Sequence, residues 1–344
     1  MLETVYNREL GNLVKLVPNE SKSGVLDPRA REELIQSMMT EPVEAPTGIP
    51  DVEELRASMG WPDSKDISKH ELVIENHETK YGVHFRTYVK KTLLDKKVPV
   101  VFFYHGGGFF GGSIDNVENP ARAVAYLGDV MVVSVDWALA PENPAPMGLI
   151  ESYQTLLWVL RDGGFKIDTK HVAVMGDSAG GNFAYTLGLV DRAFGTNVIT
   201  KIVSLYPVTY LGNGPLKTQL HNLAQYDIAE EDKQYLEPYI NGFNGSTGLI
   251  DFWYMKESNA EMPFLSPIMA SEKALKDLPE SLLIVGEYDP LRFEGEAMWQ
   301  KIKLAGGKST YIRYNGMTHA FMDKVGDFEQ ADDAIAEVAK FLKP

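Results

Sequence analysis

The stretch Gly176-Asp177-Ser178-Ala179-Gly180-Gly181 constrains this chain more than any other. It follows a short apolar run, His171 to Met175, that reads as a buried strand, and it precedes a helical run, Asn182 to Ala193. A serine with glycine two residues away on each side, between a strand and a helix, is the pattern of a nucleophile elbow. Such a turn is too sharp for side chains to crowd it, and glycine at 176 and 180 removes Cβ atoms where strand and helix approach. The hydroxyl then stands outside the sheet at the positive end of a helix, where a developing oxyanion is stabilised. The pattern is short and also occurs by chance in glycine-rich turns, so the rest of the chain has to decide.

The surrounding pattern predicts an α/β fold. From about His70 the chain reads as a hairpin, Leu72 to Ile74 with Val83 to Val89, and then strands alternate with helices. The predicted strands are Val98 to Tyr104, Val130 to Val135, His171 to Met175, Ile202 to Tyr206, Leu282 to Val285 and Thr310 to Tyr314. Between and after them lie helical runs such as Ala121 to Leu127, Leu149 to Leu160, Gly295 to Leu304 and Asp332 to Leu342. Alternation of this kind gives a mostly parallel sheet with helices on both faces. A chain of 344 residues that is 44% hydrophobic has the length and apolar content for one large core with an accessory cap.

Two segments break the alternation. The first seventy residues carry two helical patterns, Pro28 to Met39 and Asp51 to Met59, separated by a proline-rich loop from Glu41 to Pro50. Residues 211–263 show no strand and are rich in aromatic side chains, including Tyr226, Tyr239, Phe243 and Trp253. An insertion of that length is either a lid that carries function or a helical excursion packed for stability. The expected division is 1–70 as the N-terminal part of a cap, 71–210 with 264–344 as the core, and 211–263 as a mid-chain lid.

A serine hydroxyl is a weak nucleophile until a base takes its proton. On a strand-turn-helix scaffold the partners follow in the order serine, acid, histidine. Asp289 leaves the carboxyl end of the strand Leu282 to Val285, and His319 lies on the loop after the strand ending at Tyr314. Carboxyl ends of parallel strands are where such sheets bind ligands. His319 would take the serine proton and Asp289 would orient the imidazole. After Ser178 the only other histidine is His221, inside the aromatic-rich segment. Upstream, His105-Gly106-Gly107-Gly108 follows the strand Val98 to Phe103, where consecutive glycines turn backbone N–H groups towards one point. Gly106, Gly107 and Ala179 are the expected oxyanion donors, and Phe109 and Phe110 the expected substrate contacts. No Gly-Lys-Ser/Thr ending or Rossmann acid accompanies the glycines, which argues against a nucleotide loop.

Charge and composition exclude other classes. The formal net charge of −15 argues against nucleic acid or an anionic membrane as a partner. With no cysteine there is no disulfide, thiolate metal site or cysteine nucleophile. There is no His-Glu-x-x-His metal motif. Gly-Asp-Ser-Ala-Gly also resembles the nucleophile motif of trypsin-like proteases, but that class needs the order His, Asp, Ser on an all-β fold. The first residues lack a basic region followed by an apolar core, and no apolar run is long enough to span a bilayer, so a cytoplasmic location is expected.

Taken together, His105-Gly106-Gly107-Gly108, Gly176 to Gly181, Asp289-Pro290-Leu291 and His319-Ala320-Phe321 resemble the hormone-sensitive-lipase-like (family IV) carboxylesterases of the α/β-hydrolase fold. Asp136 with Leu139-Ala140-Pro141-Glu142 matches a further signature of that family. The resemblance covers about residues 70 to 344, with the first seventy resembling the family's N-terminal cap. It implies hydrolysis of short-acyl carboxylic esters through an acyl-enzyme, a small-molecule ester as partner, no metal or organic cofactor, and a homodimer formed through the sheet edge. The chain departs from the family at Trp137-Ala138, where Tyr-Arg is usual, at Asn143 for His, and at Phe293 for Asp. A non-catalytic small-molecule-binding protein on the same fold is the alternative, because folds are reused without their chemistry.

Overall fold

The computed structural model describes residues 1–20, 23–39, 51–59 and 64–344. The predicted proline-rich loop from Glu41 to Pro50 lies outside them. Among the described residues the ten strands are β1 (Thr4–Asn7), β2 (Asn12–Lys15), β3 (Leu72–Glu78), β4 (His84–Lys90), β5 (Val98–Tyr104), β6 (Met131–Val135), β7 (Ile167–Asp177), β8 (Lys201–Leu205), β9 (Glu280–Gly286) and β10 (Ser309–Tyr314). They form one sheet in the order β1-β2-β10-β9-β8-β7-β5-β6-β4-β3. From β2 to β6 the neighbours are parallel, while β1, β3 and β4 pair antiparallel at the two sides.

The helices are α1 (Pro28–Met39), α2 (Val52–Ser58), α3 (Glu118–Gly128), α4 (Met147–Arg161), α5 (Ala179–Ala193), α6 (Pro215–Leu220), α7 (Lys233–Leu249), α8 (Glu272–Lys276), α9 (Arg292–Leu304) and α10 (Glu329–Leu342). Side chains on a strand alternate between faces, and β5 shows what that does to the core. Val98, Val100, Phe102 and Tyr104 enter one buried cluster, with Leu156 of α4, Phe183 of α5 and Met298 of α9. Val101 and Phe103 enter the other, with Val124 of α3 and Val338 of α10. Such strands read as continuous apolar runs because both faces are covered, which is why their positions are legible without the structure.

The sheet also fixes where the site must be. β5 and β6 advance in one direction across the sheet, and β7 returns to the other side of β5. Connections therefore diverge at the carboxyl ends of β5 and β7, and a crevice opens there. Tyr104 is registered with Gly176, so the glycine loop after β5 and the elbow after β7 begin side by side.

The first seventy residues depart from the expectation of a single capping unit. β1 and β2 belong to the sheet, where β2 lies parallel to β10. Buried Lys15 pairs with Asp333 (2.9 Å) and Glu337 (2.7 Å) of α10. Of the described part, α1 and Met59 line the cavity at the crevice. In residues 211–263 there is no strand; α6 and α7 are followed by a wide helical turn, Ile250–Met255. Among the described residues no helix is long and apolar enough to cross a membrane.

Candidate active site

Ser178 sits between β7 and α5 with φ 53° and ψ −114°, a backbone conformation that L-residues rarely adopt. The surrounding structure imposes it. The Ser178 N–H donates to the Leu205 carbonyl (2.9 Å), and the Ser178 carbonyl accepts from Asn182 (3.1 Å). A Cβ on Gly176 would collide with the Gly180 carbonyl, and one on Gly180 with the Tyr104 carbonyl. Only glycine at both positions lets the turn close. Ser178 Oγ lies 3.1 Å from His319 Nε2. On the far side of that ring, Nδ1 is 3.0 and 2.9 Å from the two oxygens of buried Asp289. A carboxylate accepts only, so the proton sits on Nδ1 and leaves Nε2 free to accept from the serine.

Asp289 and His319 are held in turn. Asp289 Oδ1 accepts the Leu291 N–H at 2.7 Å, and the Asp289 carbonyl accepts from the Tyr226 hydroxyl at 2.7 Å. The His319 N–H donates to the Tyr239 hydroxyl (3.0 Å), and the rings of Tyr206 and Phe243 meet the imidazole edge-on, each at 4.9 Å. Tyr226, Tyr239 and Phe243 all come from the aromatic-rich segment. These side chains therefore brace the acid and the histidine in addition to filling space.

The glycine loop is fixed by one acid and two rings. His105 Nδ1 donates to the Gly106 carbonyl (2.8 Å), and burial lowers the pKa of this histidine, which keeps it neutral. Trp137, one of the departures from the family pattern, stacks on His105 at 4.9 Å. The Gly106 N–H donates to Asp177 Oδ1 at 3.0 Å. This corrects one expectation: the Gly106 N–H is already committed to a carboxylate. The amides of Gly107 and Ala179 remain the candidates, and Gly108 lines the cavity beside Gly107. Burial pushes Asp177 up to about 6, and it pushes neighbouring Asp323 well above the usual carboxylate range, where the Asp177 charge adds to it.

The cavity over Ser178 and His319 has a volume of about 750 Å³. Leu34, Phe110, Leu211, Phe243 and Ile250 give it an apolar wall, with Glu33, Asp251 and Lys217 among the polar groups. Of the two expected substrate contacts, Phe110 lines the cavity. Phe109 does not: its backbone is left-handed (φ 69°), and the ring turns into the core, stacked on Tyr254 at 4.1 Å. Sequence reasoning also missed Arg56. From α2 its guanidinium donates to the Phe110 carbonyl (2.6 Å) and the Ala140 carbonyl (2.9 Å) and pairs with Glu142 (2.7 Å), joining the N-terminal segment to the glycine loop. The sequence carried no signal for this contact beyond the presence of Glu142 in the Leu139-to-Glu142 signature.

An elbow at the switch point of a parallel sheet, with an acid and a histidine from later strand ends, defines an α/β hydrolase. A family model described as the alpha/beta hydrolase fold matches residues 101–323. Carboxylesterase NlhH of Mycobacterium tuberculosis is 30% identical over 74% of this chain and 76% of its own length. A putative alpha/beta hydrolase, R526, of Acanthamoeba polyphaga mimivirus is 28% identical over 66% of this chain, and the match spans 62% of that relative. Among solved structures, a Pyrobaculum calidifontis esterase superposes with a TM-score of 0.74 at 27% identity, covering 93% of this chain and 98% of that one. The chain belongs to the hormone-sensitive-lipase-like (family IV) branch of the α/β hydrolases, a family of carboxylic ester hydrolases.

Proposed function

We propose that this chain is a serine carboxylesterase that hydrolyses short-acyl and aryl carboxylic esters through an acyl-enzyme. The observation that carries the proposal is the unbroken run of hydrogen-bond distances from Ser178 Oγ through His319 to Asp289. Ser178 Oγ attacks the ester carbonyl carbon as its proton passes to His319 Nε2. The carbonyl oxygen, now an anion, is held by the backbone N–H groups of Gly107, Gly108 and Ala179. The same Nε2–H then protonates the departing alkoxide, and the acyl group stays on Ser178. Water, deprotonated by Nε2, attacks the acyl carbon and frees the acid, returning the proton to Ser178. Helix α1, Met59 and the segment 211–263 act together as the cap over the acyl site.

The test is a pre-steady-state assay with a p-nitrophenyl ester of a short acid, alongside labelling by a fluorophosphonate probe. A burst of p-nitrophenol and a label on Ser178 are expected, with Ser178→Ala lowering kcat by about 10⁴-fold or more. A folded protein that neither turns over the ester nor takes the label at Ser178 is the binding protein instead.

A further inference from the structure

His221 stands apart from the mechanism above, yet it is among the most tightly held polar side chains near it. It follows the last turn of α6, with its side chain only 7% exposed. Its Nε2 lies 2.7 Å from Glu294 Oε1 on α9, and its Nδ1 lies 2.6 Å from Asn244 Oδ1 on α7. Glu294 is itself buried, and its other oxygen takes the backbone N–H groups of Thr209 and Tyr210. One ring thus joins α6, α7 and α9, and α9 opens three residues after Asp289.

The far end of that link reaches the reacting groups. Asn244 is the neighbour of Phe243, whose ring packs on His319, and α7 also carries Tyr239, which accepts the His319 N–H. Helix α7 therefore touches the imidazole at two points, and the His221 ring ties it to α9 beside the core packing of its buried Leu236 and Ile240. Given the esterase reading above, we propose that His221 is a positioning residue for the reaction, tying α7 to Glu294 and so holding Tyr239 and Phe243 against His319. With Glu294 at Nε2 and the Asn244 amide oxygen at Nδ1, the ring sits where both its nitrogens can donate. Burial works against a charge on the ring, but the Glu294 hydrogen bond and charge and the Asn244 hydrogen bond together outweigh it. Lys217, one turn earlier on α6, is the charge that opposes. His221 is held above its ordinary value.

Two variants cut the link at different points. In His221→Gln the amide still donates to Glu294, so no buried carboxylate is stranded, but it cannot span to Asn244 as well. In Asn244→Ala the buried His221–Glu294 pair stays intact. Each is expected to lower kcat on p-nitrophenyl butyrate about tenfold, with KM within about twofold of the parent. The double variant should be no slower than the slower single, because both cut one link. The proposal is overturned if either folded single variant keeps the parent kcat, or if the two losses multiply. If His221→Gln does not fold, Asn244→Ala decides alone. The parent serves as the control: if it neither hydrolyses the ester nor takes the fluorophosphonate label, the esterase reading fails, whatever the variants do.

Discussion

Asp177 precedes the candidate nucleophile and accepts the Gly106 N–H, so its charge bears on the loop that would hold the oxyanion. Burial raises its folded pKa to about 6, against about 3.9 in an unfolded chain. Between those values the folded protein keeps a proton that the unfolded chain has released. Stability from this group therefore falls as pH rises from about 4 to about 6, and by neutral pH the cost is roughly 3 kcal/mol. Asp177→Asn keeps an oxygen for Gly106 and removes the titration. Denaturant unfolding at pH 4.5 and pH 7 should show the variant gaining on the parent as pH rises. An unchanged difference between the two proteins at both pH values would mean that Asp177 titrates normally. Phe109 and Phe110 show the limit of reading at this scale. They are the same residue type side by side, and only the left-handed backbone at Phe109 sends one ring into the core and the other to the cavity.

At the scale of elements, the N-terminal hairpin is held to the sheet by a buried ion pair. Lys15 reaches Asp333 and Glu337, and Asp333 also accepts from the Tyr314 hydroxyl. Lys15→Met leaves Asp333 without its cation in a buried site, and a loss of about 3–5 kcal/mol in unfolding free energy is expected from denaturant titration. A loss below about 1 kcal/mol would mean that water or another group replaces the lysine. The hairpin is also the element that sequence reading missed. β1 and β2 have four residues each, too few for a periodic signal, and β2 is fixed by pairing with β10 at the other end of the chain. By contrast β5, β7, β8 and β9 are buried on both faces and announce themselves as apolar runs. The elbow, Asp289 and His319 were legible for the same reason, since each follows such a run. The partners of Gly106, Arg56 and His221 were not, because each is a contact between segments far apart in sequence.

For the molecule as a whole, the cavity decides what reaches Ser178. A volume of about 750 Å³ with an apolar wall lies within the usual range for small-molecule sites. Across a panel of p-nitrophenyl esters, kcat/KM is expected to fall by about tenfold or more from butyrate to dodecanoate. Equal values across the panel would show that the walls do not select by length. The sheet order carries a different consequence. Leu13 and Val14 take their parallel register from Ile312 and Arg313, so β2 leaves the ribosome with β1 beside it but with its other partner, β10, not yet made. The hairpin must wait, solvated or chaperoned, through synthesis of almost the whole sheet. That makes its docking one of the latest and most non-local steps of folding.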